Sequence, residues 1–74
     1  MRVKLYGRLR QYVGDREWIE VNLDSEETVA DVIRALDLPD SEVYVVEKAG
    51  RPVEKDSPVD NTDEITLLPL MDGG

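Results

Sequence analysis

The run TVADVIRAL, at positions 28–36, determines which fold class this chain can adopt. Its apolar residues recur at the three- and four-residue spacing of one helix face: Val29, Val32, Ile33 and Leu36. Thr28 and Asp31 have the spacing of a capping box, which is typical of a helix N-terminus. The sequence therefore predicts a helix over Val29–Leu36 whose single apolar stripe must pack against another layer of structure.

Strand patterns flank this helix on both sides. Two segments before it alternate polar and apolar residues, as half-buried strands do: Arg2–Tyr6 and Glu17–Leu23. Three more strands are predicted after it: Val43–Lys48, a short return around Pro52–Glu54, and Ile65–Pro69. The first of these three is apolar on both faces, so we expect it to be central in the sheet or covered. Between the last two, Asp56–Asp63 predicts a turn-rich loop.

A short helix is predicted between the first two strands, over Arg8–Val13, with Gly14 closing it. This order of elements favours an α+β fold with a mixed sheet of four to five strands packed on one main helix, plus the short helix, as in a β-grasp arrangement. We expect one domain over residues 1–74, with 70–74 as a flexible C-terminal tail. The sequence leaves the order of the strands open.

Composition narrows the chemistry that the chain can perform. It contains no cysteine and no histidine, which removes thiolate nucleophiles, cysteine-ligated zinc and the usual general base near neutral pH. We therefore expect no metal site and no independent enzyme. A net charge of −8 argues against nucleic acid or an anionic membrane as partner and favours a basic protein surface.

Targeting signals are not apparent in the sequence. No apolar run approaches the roughly 18 residues needed to span a bilayer, so we expect no membrane partner. The sequence begins directly with a strand pattern, from which we expect no signal peptide and a cytoplasmic location.

The last two residues of the chain are Gly73 and Gly74. Because glycine has no Cβ, such a tail is thin enough to enter a narrow channel. An extended segment over 70–74 reaches at most about 17 Å. The hypothesis is that the Gly74 α-carboxylate is a reactive end that enters the pocket of another enzyme.

The last predicted strand also indicates where a partner binds. If Ile65 and Leu67 face the core, strand alternation turns Leu68 and Leu70 outward. The same alternation turns Tyr6 outward on the first strand. These exposed side chains would form a partner-binding patch. The opposite register, which buries Leu68 and exposes Leu67, stays open at this point.

Four segments carry a resemblance to a known family: Val3-Lys4-Leu5-Tyr6-Gly7-Arg8-Leu9-Arg10, Glu27-Thr28-Val29-Ala30-Asp31-Val32-Ile33, Gly50-Arg51-Pro52-Val53, and Asp63-Glu64-Ile65-Thr66-Leu67-Leu68-Pro69 followed by Gly73-Gly74. Over essentially its whole length the chain resembles the ubiquitin-like sulfur carriers, especially the small subunit of molybdopterin synthase. The short helix over Arg8–Val13 favours that subunit, because carriers similar to the thiamine-pathway protein run almost directly from the first strand into the second.

The resemblance implies a reaction and its partners. An ATP-dependent adenylating enzyme of the ubiquitin-activating type would activate Gly74, which then becomes a thiocarboxylate, with Gly73 beside it. The sulfur would pass to a precursor in the molybdopterin synthase large subunit, for a molybdenum or tungsten cofactor. The chain would act as a carrier subunit without a bound cofactor, and the activating enzyme would use the ATP. The implied partner-binding residues are Tyr6, Leu68, Pro69, Leu70, Met71 and Asp72.

Other functions stay open. The chain could be a ubiquitin-like protein modifier that is joined through Gly74 to a lysine, or a sulfur carrier for tRNA or thiamine thiolation. It could also be a plain ubiquitin-like interaction module whose tail has no task. Asp72 stands where family members usually have a small or neutral residue, which leaves the choice of activating enzyme and acceptor open.

Overall fold

The computed structural model describes residues 1–70, and its main helix, α1, spans Val29–Ala35. The predicted capping box is present: Thr28 Oγ1 accepts a hydrogen bond from the Asp31 amide at 3.3 Å, and Asp31 Oδ2 accepts one from the Thr28 amide at 3.0 Å. The helix ends one residue earlier than predicted, because Asp37 adopts a left-handed φ of 59° and the Leu38 amide bonds back to the Ile33 carbonyl.

Seven strands lie within residues 1–70: β1 (Arg2–Leu5), β2 (Trp18–Glu20), β3 (Glu27–Thr28), β4 (Val43–Lys48), β5 (Arg51–Val53), β6 (Pro58–Val59) and β7 (Glu64–Pro69). Five of them form a mixed sheet in the order β2-β1-β7-β4-β5, and β3 pairs with β6 in a separate two-stranded sheet. Strands β1 and β7 are parallel, and the other pairs are antiparallel. The predicted α+β, β-grasp fold is confirmed.

Two segments differ from the prediction by more than the single residue seen at the other element ends. The second strand spans only Trp18–Glu20 of the predicted Glu17–Leu23, although Val21 next to it still exchanges main-chain hydrogen bonds with Met1. The loop predicted over Asp56–Asp63 contains the short strand β6, which pairs with β3. A two-residue pairing of this kind has no periodic pattern in the sequence that could indicate it.

The short helix between β1 and β2 is present as a 3-10 helix over Gly7–Val13, and a second 3-10 turn, Asp40–Glu42, precedes β4. Gly14 ends the first one in the left-handed conformation, with φ 68°. Leu9 of this helix is fully buried in the core.

The core lies between α1 and one face of the main sheet. It contains these buried apolar residues: Met1, Val3, Leu5, Leu9, Val29, Val32, Ile33, Leu38, Val43, Val46, Val59, Ile65 and Leu67. Ile65 and Leu67 are buried, so the last strand has the register in which Leu68 and Leu70 face outward. Strand β4 lies inside the sheet as expected, between β7 and β5. No helix within residues 1–70 has the length and apolar character needed to cross a membrane.

The capping box predicts a pH dependence of stability. Hydrogen bonds from the amide and hydroxyl of Thr28, with a smaller effect of Arg34, hold the pKa of Asp31 below its ordinary value of 3.8. A folded-state pKa below the unfolded one means that the carboxylate stabilises the fold above that ordinary value, and that this contribution disappears as the pH falls through the folded-state pKa.

We therefore expect Asp31→Asn to have a lower free energy of unfolding than wild type at about pH 6, and the difference to shrink toward zero at about pH 2. Urea denaturation at several pH values measures this. Asp24→Asn, which removes the same charge from the loop before β3, is the control. A difference that is independent of pH would show that the carboxylate charge does not stabilise the helix.

Candidate functional site

The chain leaves the sheet from its middle. Strand β7 lies between β1 and β4 and ends at Pro69, so Leu70 marks the exit point of the C-terminal segment. Leu70 is 47% exposed. The predictions for Met71, Asp72, Gly73 and Gly74 concern positions outside the described residues, and they stay predictions.

A tight corner, where Gly7 packs against Pro69, fixes the position of this exit point. Gly7 has a left-handed φ of 57°, and a Cβ placed there would lie 3.1 Å from Pro69 Cγ. Only glycine combines that backbone conformation with so close an approach. Pro69 itself is buried. Strand alternation turns Pro69 toward the core with Leu67, and its predicted role as a partner-binding residue stays a prediction.

An apolar surface surrounds the exit point on the outer face of the sheet. Its side chains come from the ends of β4 and β7, and we call it the exit patch: Tyr44, Val45, Leu68 and Leu70. A shallow groove of about 370 Å³ runs across it and also touches Glu47 and Pro69. Leu68 pairs directly with Val45. The structure thus brings together two of the three predicted patch residues, Leu68 and Leu70.

Tyr6 lies beside the exit patch on the neighbouring strand end. Its amide donates to the Leu67 carbonyl at 3.2 Å, which places it level with Leu68. The ring is 40% exposed and has Lys4 Nζ 4.9 Å from its centroid. This cation–π contact leaves part of the ring free on the same face as the exit patch.

Tyr44 is 65% exposed and was not predicted as a site residue. Val43 pairs with Pro69 and Val45 with Leu68, so Tyr44 is the extra residue of a β-bulge. A bulge redirects a side chain that strict alternation would place elsewhere. The signal in the sequence was the apolar run Val43–Val46, because four successive apolar residues in a strand cannot all face one core.

A polar cluster also lies at the exit point. Arg8 Nη2 donates to the Leu70 carbonyl oxygen over 3.4 Å, and Arg8 Nε lies 3.8 Å from Glu42 Oε1. The Tyr12 hydroxyl donates a short hydrogen bond to Glu42 Oε2. That bond is the main cause that raises the pKa of Tyr12 above its ordinary value of 10.0, while the charge of Arg8 acts in the opposite direction.

The site offers surfaces and hydrogen-bond donors for a chain end. Within residues 1–70 no group of three or more acidic side chains is arranged to hold a metal ion. Asp60 and Asp63 make turn contacts instead, to Thr62 and to the Asp60 amide respectively. Around Leu70 the described residues thus provide an apolar surface and the Arg8 guanidinium as a hydrogen-bond donor.

Comparisons with known proteins identify the family of the chain. A family model described as the ThiS family matches residues 3–74. The chain is 42% identical over 64 residues to small archaeal modifier protein 2 of Haloferax volcanii, an alignment that covers 86% of this chain and 92% of that protein.

Solved structures show the same fold. Small archaeal modifier protein 1 of Haloferax volcanii is 22% identical, with a TM-score of 0.76 over 95% of each chain. A thiamine biosynthesis protein from Geobacter metallireducens is 20% identical, with a TM-score of 0.57 over 100% of this chain and 88% of that one. At these identities the likeness shows the β-grasp fold and nothing further.

The corner at Gly7 yields a prediction with an internal control. Gly7→Ala places a Cβ in the left-handed region and against Pro69, whereas Gly14→Ala has the same backbone strain with no atom within 4 Å of the Cβ. We expect both variants to be destabilised, and Gly7→Ala by roughly 1 kcal/mol more, because a rigid buried ring must move. Urea denaturation of both variants measures the difference, and equal losses would contradict the close packing of Gly7 on Pro69.

Proposed function

This chain belongs to the ThiS family of ubiquitin-like sulfur carriers, and we propose that its Gly74 carboxylate is adenylated and converted to a thiocarboxylate that donates sulfur. One observation carries the proposal: the central strand β7 brings the chain to Leu70 at an exposed apolar patch, and the family match continues from there through Gly74. A partner that binds the exit patch is thereby adjacent to the chain end.

The chemistry begins with activation, because a carboxylate is a poor electrophile. The Gly74 carboxylate attacks the α-phosphorus of ATP, a mixed anhydride with AMP forms, and pyrophosphate leaves. A sulfide-equivalent nucleophile then attacks the acyl carbon, and the bond to AMP breaks. The thiocarboxylate forms without oxidation or reduction. The carrier contributes position, which lowers a barrier by on the order of several kcal/mol when the reacting groups are held together.

We place this sulfur transfer in molybdopterin biosynthesis for a molybdenum or tungsten cofactor. The 3-10 helix Gly7–Val13 between β1 and β2 supports this choice, because the molybdopterin type of carrier has a short helix at that point. The partners are an ATP-dependent adenylating enzyme of the ubiquitin-activating type and the large subunit of molybdopterin synthase. The chain binds no cofactor, and since the adenylating enzyme consumes ATP, we place the reaction in the cytoplasm.

A second candidate function is modification of proteins, in which the same acyl adenylate is attacked by a lysine amine. The 42% identity to small archaeal modifier protein 2 favours it specifically. Both functions share the activation step, so one chain could perform both. Digestion of cell extracts with a protease that cleaves after aspartate, and therefore after Asp72, followed by a search for lysines that carry the Gly-Gly remnant, tests the modifier function. A consistent lack of such peptides would remove it.

The tail gives the first prediction for function. A variant that lacks Gly73 and Gly74 should unfold at the same urea concentration as wild type, because the core lies within residues 1–70. It should release no pyrophosphate with the adenylating enzyme, and it should fail to restore cofactor synthesis in a deletion strain. Restoration by the truncated chain would overturn the proposal and leave a plain interaction module.

The exit patch gives the second prediction. Tyr44 is its most exposed member, and removal of a central aromatic side chain from an interface commonly costs more than 1 kcal/mol. We expect Tyr44→Ala to raise the KM of the adenylating enzyme for this chain by about five- to thirtyfold, while Tyr44→Phe, which keeps the apolar ring, stays close to wild type. A KM that is unchanged in Tyr44→Ala would place the docking surface elsewhere.

A further inference from the structure

We propose that Arg8 is a positioning residue for the C-terminal tail, which it aims by holding the Leu70 carbonyl while Glu42 and Tyr12 hold Arg8 in turn. The inference rests on the proposed function, since a fixed direction of exit matters only for a tail that must reach a reaction site. We call these three side chains the exit clamp: Arg8, Tyr12 and Glu42.

The clamp joins three parts of the fold at one point. Arg8 and Tyr12 lie on the 3-10 helix after β1, and Glu42 ends the 3-10 turn before β4. The guanidinium group reaches the Leu70 carbonyl oxygen at 3.4 Å through Nη2 and faces Glu42 Oε1 at 3.8 Å through Nε. A guanidinium has several donors in a fixed plane, so it can serve both acceptors at once.

The neighbouring corner makes this reach possible. Gly7 directly precedes Arg8, and Pro69 directly precedes Leu70. The close approach of Pro69 to Gly7 therefore brings the next residue of each segment together. The corner fixes where β7 ends, and the clamp adds a contact one residue further along the chain. Two successive contacts define a direction, which a single one does not.

Glu42 and Tyr12 give the clamp its stiffness. Arg8 and Glu42 are 43% and 29% exposed at their side chains, and a lone ion pair with that exposure is weak because water and salt screen it. Tyr12 removes part of the freedom of Glu42 by donating a hydrogen bond to the second carboxylate oxygen. Arg8 is thus held at one end by an oriented carboxylate and at the other by the main chain.

The direction in which the chain continues from Leu70 strongly affects the position that the Gly74 carboxylate can reach. Four residues follow Leu70, and an extended segment of that length spans at most about 14 Å. A rotation of about 20° at its base would move its tip by roughly 5 Å. A displacement of about 1 Å in a reacting group can already lower a rate by about a hundredfold. A clamp at the base therefore improves the fraction of encounters that place the carboxylate correctly.

The test compares four variants of the full chain with its adenylating enzyme: Arg8→Gln, Glu42→Ala, the double variant, and Arg51→Gln as the control. Arg51 carries the same charge but lies on the edge strand β5, opposite Lys48 at the far end of the sheet from Pro69. For each variant we would measure kcat and KM for pyrophosphate release, the urea midpoint, and the heteronuclear NOE of the Leu70 amide by NMR.

We expect Arg8→Gln to lower kcat about three- to tenfold, the range that one net hydrogen bond contributes, with KM unchanged. The urea midpoint should fall only slightly, because the hydrogen bond and ion pair that are lost are exposed to solvent. Glu42→Ala should have a smaller effect in the same direction, and the double variant should be no worse than Arg8→Gln alone, because both act through one contact. The NOE of Leu70 should fall in these variants and remain at the wild-type value in Arg51→Gln.

Other outcomes would overturn the inference. A rise in KM for Arg8→Gln without any effect of Glu42→Ala would mean that Arg8 contacts the partner directly. An unchanged NOE at Leu70 would mean that no clamp exists. The NMR readout needs no activity, so it separates the two proposals: if Leu70 loosens in Arg8→Gln while even the wild-type chain is never adenylated, the clamp stands and the proposed function fails.

Discussion

Parallel pairing of β1 with β7 is the constraint on which the rest of this structure depends. The register aligns Val3 with Ile65 and Leu5 with Leu67, and all four side chains are buried. Parallel neighbours need a long connection, and here that connection contains α1, which covers the buried face. A slip of one residue would turn Ile65 and Leu67 toward water. The same pairing makes the last strand a central one, so Leu70 follows a strand in the middle of the sheet.

A central exit has consequences for how the molecule works. The end of an edge strand has structure on one side only, whereas the end of β7 has β1 and the 3-10 helix on one side and β4 on the other. The first side provides Gly7 and Arg8, and the second provides Glu42 and the exit patch residue Tyr44. Apolar surface for a partner and polar contacts for the main chain thus meet at Leu70.

Much of this arrangement could be predicted from the sequence. The helix followed from its apolar spacing and from the Thr28–Asp31 capping pair, because both signals are local. The inward face of β7 followed from alternation once one register was chosen. Two features that the sequence did not indicate depend on contacts between segments that are distant in the chain. Tyr44 is exposed because a bulge against Pro69 interrupts the alternation in β4. Pro69 is buried because Gly7, distant in sequence, leaves room for its ring. Contacts of this kind leave no periodic signal.

The central claim is that this fold presents the Gly74 carboxylate for activation, and one measurement tests it most directly. The chain is incubated with its adenylating enzyme, ATP and the sulfur-donating system, and the C-terminal peptide is then sequenced by tandem mass spectrometry. We expect an oxygen-to-sulfur exchange that maps to the carboxyl group of Gly74 and requires ATP. An unmodified carboxylate after incubation with an enzyme of proven activity, or sulfur located at any other residue, would contradict the account.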